Sequence, residues 1–121
     1  MWAATAAGYH PRALATDPLS ALDIRVGTIV RAEVLRGART PAYVLSIDFG
    51  AIGTHAGSAE ISDLYETDDL VGLQVVAVVN LPPRRVAGLQ SEVVVLAVND
   101  GKGENVLLIP ERPVPDGGRV A

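Results

Sequence analysis

The sequence contains no cysteine, which excludes disulfide scaffolds, thiolate zinc sites, iron–sulfur clusters and cysteine nucleophiles. Aromatic residues are scarce, at 4% of the chain, and this weakens any base-stacking platform for single-stranded nucleic acid. No apolar run approaches the ~20 residues that span a bilayer, so we expect no membrane insertion. Only two histidines occur, and no spaced histidine–carboxylate set or nucleophile motif is present. We therefore expect a protein that is not an enzyme and that uses no metal or cofactor.

Basic side chains are outnumbered, because ten Lys and Arg face fourteen Asp and Glu and the net charge is -4. This balance argues against a protein that binds nucleic acid over its whole surface. Five acids lie in one stretch without a basic residue, and the rest of the chain then carries nine acidic and ten basic side chains. The remaining surface can therefore hold a local basic patch. The five acids, which we interpret as a solvated face, are Glu60, Asp63, Glu66, Asp68 and Asp69.

A length of 121 residues suits one domain, which we expect to span residues 17–121. Residues 1–16 are predicted to form a flexible N-terminal tail. Their apolar start is short and follows no basic residue, which does not fit a signal peptide, so we expect a cytoplasmic protein. Asp17 followed by Pro18 predicts an N-cap with proline at the first helical position.

Alternating apolar and polar residues predict β-strands joined by turns, with little helix. In the first strand we assign Ile24, Val26, Val30, Ala32 and Val34 to the buried face, and Gly27 is a candidate for a bulge or bend. This pattern indicates an all-β barrel or sandwich. The predicted segments are strands over residues 24–34, 43–49, 52–61 (broken by Gly57), 73–79, 93–98 and 106–109, a helical turn over Ile61–Tyr65, and a hairpin turn over Asn99–Gly103.

The segment Asn80–Glu92 is predicted to be a presented loop, because prolines cannot serve a central strand. Pro82 and Pro83 stiffen the backbone before Arg84 and Arg85. The residues leave two interpretations open: the arginines pair with acids such as Glu92, or a rigid loop offers guanidinium groups to phosphate or carboxylate. Other cations either extend this patch or are ordinary solubilising charges, namely Arg25, Arg31, Arg36, Arg39 and Lys102.

Three separated motifs resemble those of the tRNA-binding OB-fold family. Asp23–Val30 is similar to its D-[IL]-R-V-G-x-[IV] opening, Val78–Glu92 to its N-[LF]-x-P-[RK]-x-x-x-G-x-x-S loop, and Pro113–Gly117 to its closing P-x-P-x-G. Ile47–Gly50 and Gly57–Ile61 are most similar to the CsaA group of this family, which comprises small dimeric, export-related chaperones. The Pro-Pro-Arg-Arg form of the loop and its Ser-Glu-Val continuation agree with that group.

The resemblance implies a five-stranded OB-fold barrel with short helical turns that works as a homodimer. Members of the wider family bind the outside corner of tRNA, whereas CsaA-type members bind unfolded or pre-export polypeptides and the export machinery. Glu92 stands where tRNA-binding relatives carry a small residue, and its carboxylate would oppose a phosphate. The resemblance therefore favours a CsaA-like chaperone. By position, the ligand-facing residues would be Asn80, Pro82, Pro83, Arg84, Arg85, Ser91 and Glu92, with Ser58 nearby.

Two alternatives remain open. In a tRNA or structured-RNA binding protein, cations would contact phosphates, and Asn80, Ser58 and Ser91 would contact sugar or base edges. In a scaffold, the chain would dock on a synthetase or a translocase. The cations of the RNA alternative are Arg25, Arg31, Arg84, Arg85 and Lys102.

Overall fold

The structure is a computed structural model that describes residues 11–120. Most of the predicted tail, residues 1–10, lies outside the described residues, and residues 11–16 are exposed and contain no helix or strand. Asp17 caps a short 3-10 helix, because its Oδ1 accepts a hydrogen bond from the Leu19 N–H at 3.1 Å and Pro18 begins the helix. Within residues 11–120 no helix is long and apolar enough to span a membrane.

The fold is all-β, and its main sheet is a nearly closed antiparallel barrel of five strands in the order β3-β2-β1-β4-β7. Two further two-stranded hairpins, β5–β6 and β8–β9, extend from it. The prediction of a five-stranded barrel with only short helices is thus confirmed. The elements are a 3-10 helix Pro18–Ala21, β1 Ile24–Val34, β2 Tyr43–Asp48, a 3-10 helix Gly50–Ile52, β3 Thr54–Ala59, α1 Thr67–Leu70, β4 Gln74–Val78, β5 Arg84–Val86, β6 Leu89–Ser91, β7 Val94–Val95, β8 Ala97–Asn99 and β9 Asn105–Leu107.

The barrel interior is filled by aliphatic side chains around a single phenylalanine, Phe49. In β2 the alternation seen in the sequence holds, because Tyr43, Leu45 and Ile47 are buried while the residues between them are half-buried. Such period-two burial places one face of each strand in the core. The largest fully buried side chains are Phe49, Ile29, Leu45, Ile47, Leu70 and Val75.

A bulge in β1 changes which residues face the core. Ile29 pairs with Ile47, but Arg31 already pairs with Ser46, so Val30 is an extra residue in the strand. Ile29 is therefore fully buried and Val30 is 48% exposed, which corrects the assignment of Val30 to the buried face. Val34, also assigned there, is 61% exposed at the end of the strand.

Gly27 lies two residues before the bulge and has another role. A Cβ at this position would stand 2.6 Å from Ile47 Cγ2 and 2.7 Å from Phe49 Cδ1, so only glycine lets these core side chains approach β1. Gly57 does not break β3 but lies inside it, paired with Leu45.

Three other predicted elements differ in the structure. The helical turn predicted over Ile61–Tyr65 is present as a single turn at residues 62–64, but it is followed by a helix that was not predicted, α1, whose Leu70 is fully buried. The run over residues 93–98 is divided between β7 and β8, since β7 pairs with β4 and β8 pairs with β9. The loop predicted over Asn80–Glu92 contains the β5–β6 hairpin. The hairpin turn predicted over Asn99–Gly103 is confirmed, and the Asp100 N–H donates to the Glu104 carbonyl at 2.9 Å.

Candidate ligand-binding face

The β5–β6 hairpin projects Arg84 and Arg85 from the barrel. Pairing of Arg84 with Ser91 and of Arg85 with Gln90 leads to a two-residue turn in which Ala87 and Gly88 have φ of 48° and 84°. Two consecutive positive φ values are typical of the turn whose twist matches antiparallel strands. Arg84 and Arg85 are therefore positioned by a paired β-hairpin and not by an irregular loop.

Neither hairpin arginine forms an ion pair with an acid of residues 11–120. Both residues are exposed, and Arg85 Nη1 donates only to the Gly88 carbonyl within its own hairpin, at 3.3 Å. Pairing with Glu92, the first of the two interpretations left open by the sequence, is wrong. The Glu92 carboxylate instead contacts His55 Nδ1 and accepts from the Ala56 N–H, both at 3.2 Å.

A second arginine-bearing turn lies against the tip of this hairpin. A Cβ built on Gly37 would stand 4.0 Å from the Cβ of Ala87, so the turn after β1 meets the β5–β6 turn. This turn carries Arg36 and Arg39, which are exposed and form no ion pair with the described part of the chain. The structure thus brings together two turns that are distant in sequence and that carry four arginines between them. We call Arg36, Arg39, Arg84 and Arg85 the arginine face.

The other predicted cations do not belong to this face. Arg25 is held by the Asp23 carboxylate at 2.6 Å and by the Gly117 carbonyl at 2.9 Å, and so it anchors the C-terminal segment. Arg31 pairs with Glu33 on the same strand at 3.0 Å. Lys102 lies in the β8–β9 turn between two acids, Asp100 and Glu104.

Those two acids have shifted pKa values with different causes. The backbone N–H of Lys102 donates to Asp100 Oδ1 at 2.7 Å, and this hydrogen bond lowers the pKa of Asp100. Loss of hydration, followed by the neighbouring Asp100 charge, raises the pKa of Glu104. The tip of this hairpin is therefore acidic and unsuited to a phosphate.

Ser58 and Ser91 meet at the seam where β3 approaches the β6–β7 connection. The Ser58 N–H donates to Ser91 Oγ at 3.1 Å, and the Glu92 N–H donates to the Ala56 carbonyl at 2.8 Å. Ser91 is only 3% exposed, and its hydroxyl also lies 3.3 Å from the Val93 carbonyl. Ser58 and Ser91, which were predicted to face the ligand, thus form a hydrogen bond that links β3 to β6.

Asn80 also makes internal contacts. Its Oδ1 accepts from the Asp23 N–H at 2.8 Å and its Nδ2 donates to the Ala21 carbonyl at 2.9 Å. The side chain therefore ties the end of β4 to the start of β1. Pro82 and Pro83 are exposed at the base of the hairpin, and the structure does not bring Asn80 into the arginine face.

A groove of about 340 Å³ opens beside Arg84, between the end of β3 and β7. No sequence motif indicates this groove, although the apolar run over residues 93–98 supplies one wall. Its lining includes aliphatic side chains, but polar groups make up the larger share of the surface exposed in it. We call it the seam groove; it is lined by Ser58, Ala59, Glu60, Ile61, Arg84, Val86, Val94, Val95, Ala97, Asn105 and Leu107.

Comparison with known proteins identifies the family. The family model of the tRNA binding domain matches residues 24–119, which is most of the chain. The chain belongs to the tRNA-binding domain family. Methionine--tRNA ligase of Methanothrix thermoacetophila is 40% identical over 101 residues, which cover 84% of this chain but only 14% of the ligase. The match to this member of the family is therefore confined to a small part of an enzyme.

Two solved structures of this tRNA-binding domain fold match the chain over nearly their whole length. Chaperone CsaA from Bacillus anthracis str. Ames is 45% identical with a TM-score of 0.84, covering 90% of this chain and all of that one. The CsaA chaperone protein from Picrophilus torridus is 41% identical with a TM-score of 0.79, covering 85% of this chain and 94% of that one. The resemblance to the tRNA-binding family and its CsaA group is thus confirmed.

Proposed function

We propose that this chain is a non-catalytic protein that binds folded RNA of the tRNA class through the arginine face. The observation that carries the proposal is the juxtaposition of four arginines on two touching turns, without an acid partner in residues 11–120. Guanidinium groups bind phosphate oxygens in a fixed fork geometry. Membership of the tRNA-binding domain family supports the same ligand class.

The physical character of the face predicts how the RNA is recognised. Few aromatic residues are available for stacking, so phosphate contacts supply most of the affinity. Four such contacts predict that log Kd rises with log salt with a slope of about 3–4. The net charge of -4 opposes the approach of RNA elsewhere on the surface.

Fluorescence anisotropy with labelled tRNA at 50–200 mM salt tests this proposal. Arg84→Ala and Arg36→Ala should each weaken binding and lower the salt slope by about one, because each removes one phosphate contact. Arg112→Ala is the matched control, since Arg112 is exposed and already pairs with Glu111 at 2.6 Å. Equal salt slopes for the wild type and the arginine-face variants would refute the proposal.

A second candidate function is that of a CsaA-like chaperone for unfolded or pre-export polypeptides, with the export machinery as a partner. The seam groove favours it, because aliphatic side chains beside a free guanidinium suit an extended peptide. The two CsaA structures, which match along nearly their full length, support this candidate. The test is light scattering of a chemically unfolded client protein. The chaperone should suppress aggregation below equimolar ratio, and no suppression would exclude it.

Both functions are proposed for a cytoplasmic homodimer. In the β8–β9 hairpin Val98 pairs with Val106, and the Leu108 N–H donates to the Leu96 carbonyl. These four aliphatic residues alternate onto one face of the hairpin, where Val98 is 52% exposed and Val106 and Leu108 are each 39% exposed. A second copy would remove this apolar face from water.

A further inference from the structure

The barrel is closed at one end of its seam and open at the other. At the closed end, a Cβ on Gly57 would stand 3.0 Å from both Cγ2 and the carbonyl oxygen of Val93. Beyond this contact the seam groove is lined by residues 58–61 on one side and by Val94, Val95 and Ala97 on the other. The groove therefore has a strand edge on each side.

The β3 side of the groove has backbone groups that lack partners. Residues of an antiparallel strand direct their N–H and C=O groups alternately toward and away from the neighbouring strand. Ser58 faces away from β2, since its N–H donates to Ser91 Oγ, and Glu60 faces the same side, since its carbonyl accepts from Asn105 Nδ2 at 2.9 Å. The Ser58 carbonyl and the Glu60 N–H have no hydrogen-bond partner among residues 11–120.

The β7 side of the groove is oriented in the same way. The Leu96 N–H donates to the Val76 carbonyl at 2.9 Å and Val94 pairs with Val78, so both residues direct their N–H groups toward β4, while the Leu96 carbonyl accepts from the Leu108 N–H. Val95, between them, then faces away from β4 and lines the groove. Unpaired backbone on a sheet edge is a template for an added strand.

We propose that the seam groove binds an extended polypeptide segment by β-strand addition along Ser58–Glu60. The inference rests on the second candidate function, polypeptide binding, and specifies its site and its mode. Aliphatic side chains of the peptide would pack against Val86, Val94 and Leu107. Hydrogen bonds between the two backbones would give affinity that does not depend on the peptide sequence. Arg84 has no acid partner within residues 11–120, whereas Glu60 also lines the groove, so the preferred segment places an aspartate or glutamate next to Arg84 and away from Glu60.

Amide hydrogen exchange tests the site directly. The probe is a capped eight-residue peptide that alternates valine and serine and contains one aspartate. At saturation, the Glu60 and Val95 amides should exchange at least about tenfold more slowly, because strand addition gives each a bonded partner. The exposed Arg39 amide is the internal control. If the peptide binds and the Glu60 amide is unchanged, strand addition is overturned.

A modified peptide and two variants separate this inference from the function on which it rests. N-methylation of alternate peptide amides should abolish binding, and Ala97→Trp should block the groove. Val30→Trp, at an exposed position outside the groove lining, is the matched control. Equal binding of the methylated peptide would overturn strand addition but leave polypeptide binding standing. Absence of binding by either peptide, together with no suppression of client aggregation, would refute both. Protection of Glu60 by tRNA alone would assign the groove to RNA and overturn the inference.

Discussion

The backbone N–H of Ser58 donates to the hydroxyl of Ser91 at 3.1 Å, across the seam where the barrel closes. One buried side-chain oxygen thus substitutes for a backbone acceptor between two strands that do not form a continuous ladder. Ser91, the last residue of the motif that resembles the family's loop, therefore links the two sides of the barrel beside the seam groove.

Replacing Ser91 by alanine should destabilise the barrel. The Ser58 N–H would lose its acceptor in a half-buried position, which costs about 1–3 kcal/mol of unfolding free energy. Urea denaturation measures the change. Ser62→Ala, in the turn before α1, should change the unfolding free energy by less than about 0.5 kcal/mol. Equal stability of the wild type and Ser91→Ala would show that the seam bond contributes nothing.

Gly117 and Gly103 require glycine for different reasons. Both have a backbone conformation that favours glycine, but only at Gly117 would a side chain also clash with a neighbour. Both have positive φ, 88° and 90°, but a Cβ on Gly117 would stand 2.6 Å from the Phe49 carbonyl oxygen, whereas the space around Gly103 is open. Gly103→Ala should cost about 1–2 kcal/mol for its backbone conformation. Gly117→Ala should cost about 1–3 kcal/mol more, because the backbone must move. Denaturation of the two variants measures the difference, and equal losses would contradict the clash.

The pKa values of the two acids in the β8–β9 turn should be shifted in opposite directions, down for Asp100 and up for Glu104. Asp100 has a lowered pKa, so its stabilisation of the turn is present above its unfolded pKa and is lost as the pH falls through the folded pKa. Glu104 has a raised pKa, so its unfavourable charge is relieved as the pH falls through that value. In Asp100→Asn the pKa of Glu104 should therefore decrease.

Carboxyl carbon NMR shifts measured against pH report both midpoints. Asp17→Asn, at the opposite end of the chain, is the control and should leave the Glu104 titration unchanged. A Glu104 midpoint that does not respond to Asp100→Asn would contradict electrostatic coupling within the turn.

The apolar face of the β8–β9 hairpin should control the oligomeric state. Val98→Asp places a charge on this face, and desolvating that charge on association would be costly. In sedimentation, the wild type should have about twice the monomer mass of 12.6 kDa, and the variant should have the monomer mass. Val30→Asp, on exposed β1 surface, should leave the dimer intact. A wild-type mass of 12.6 kDa would contradict dimerisation.

Local pattern was sufficient for much of the fold. The strict alternation in Tyr43–Asp48 predicts a strand with one buried face, and the glycines and aspartate near residue 100 predict a hairpin turn. These features depend on neighbouring residues, because side-chain period and turn geometry are local properties of the backbone. The bulge in β1 could not be predicted, since Ile29 and Val30 are both aliphatic and only the register with β2 selects between them.

The sequence by itself determined the family, the all-β class and the presence of an arginine pair after two prolines. Tertiary structure alone decided which of the arginine-bearing turns come together. Arg25 and Arg31 pair with acids only two positions away in the sequence, whereas the turn of Arg36 and Arg39 meets the hairpin of Arg84 and Arg85 some 45 residues later. The physical reason is that contact between these turns depends on how the sheet closes. Closure brings distant residues together, and neither composition nor periodicity records that proximity.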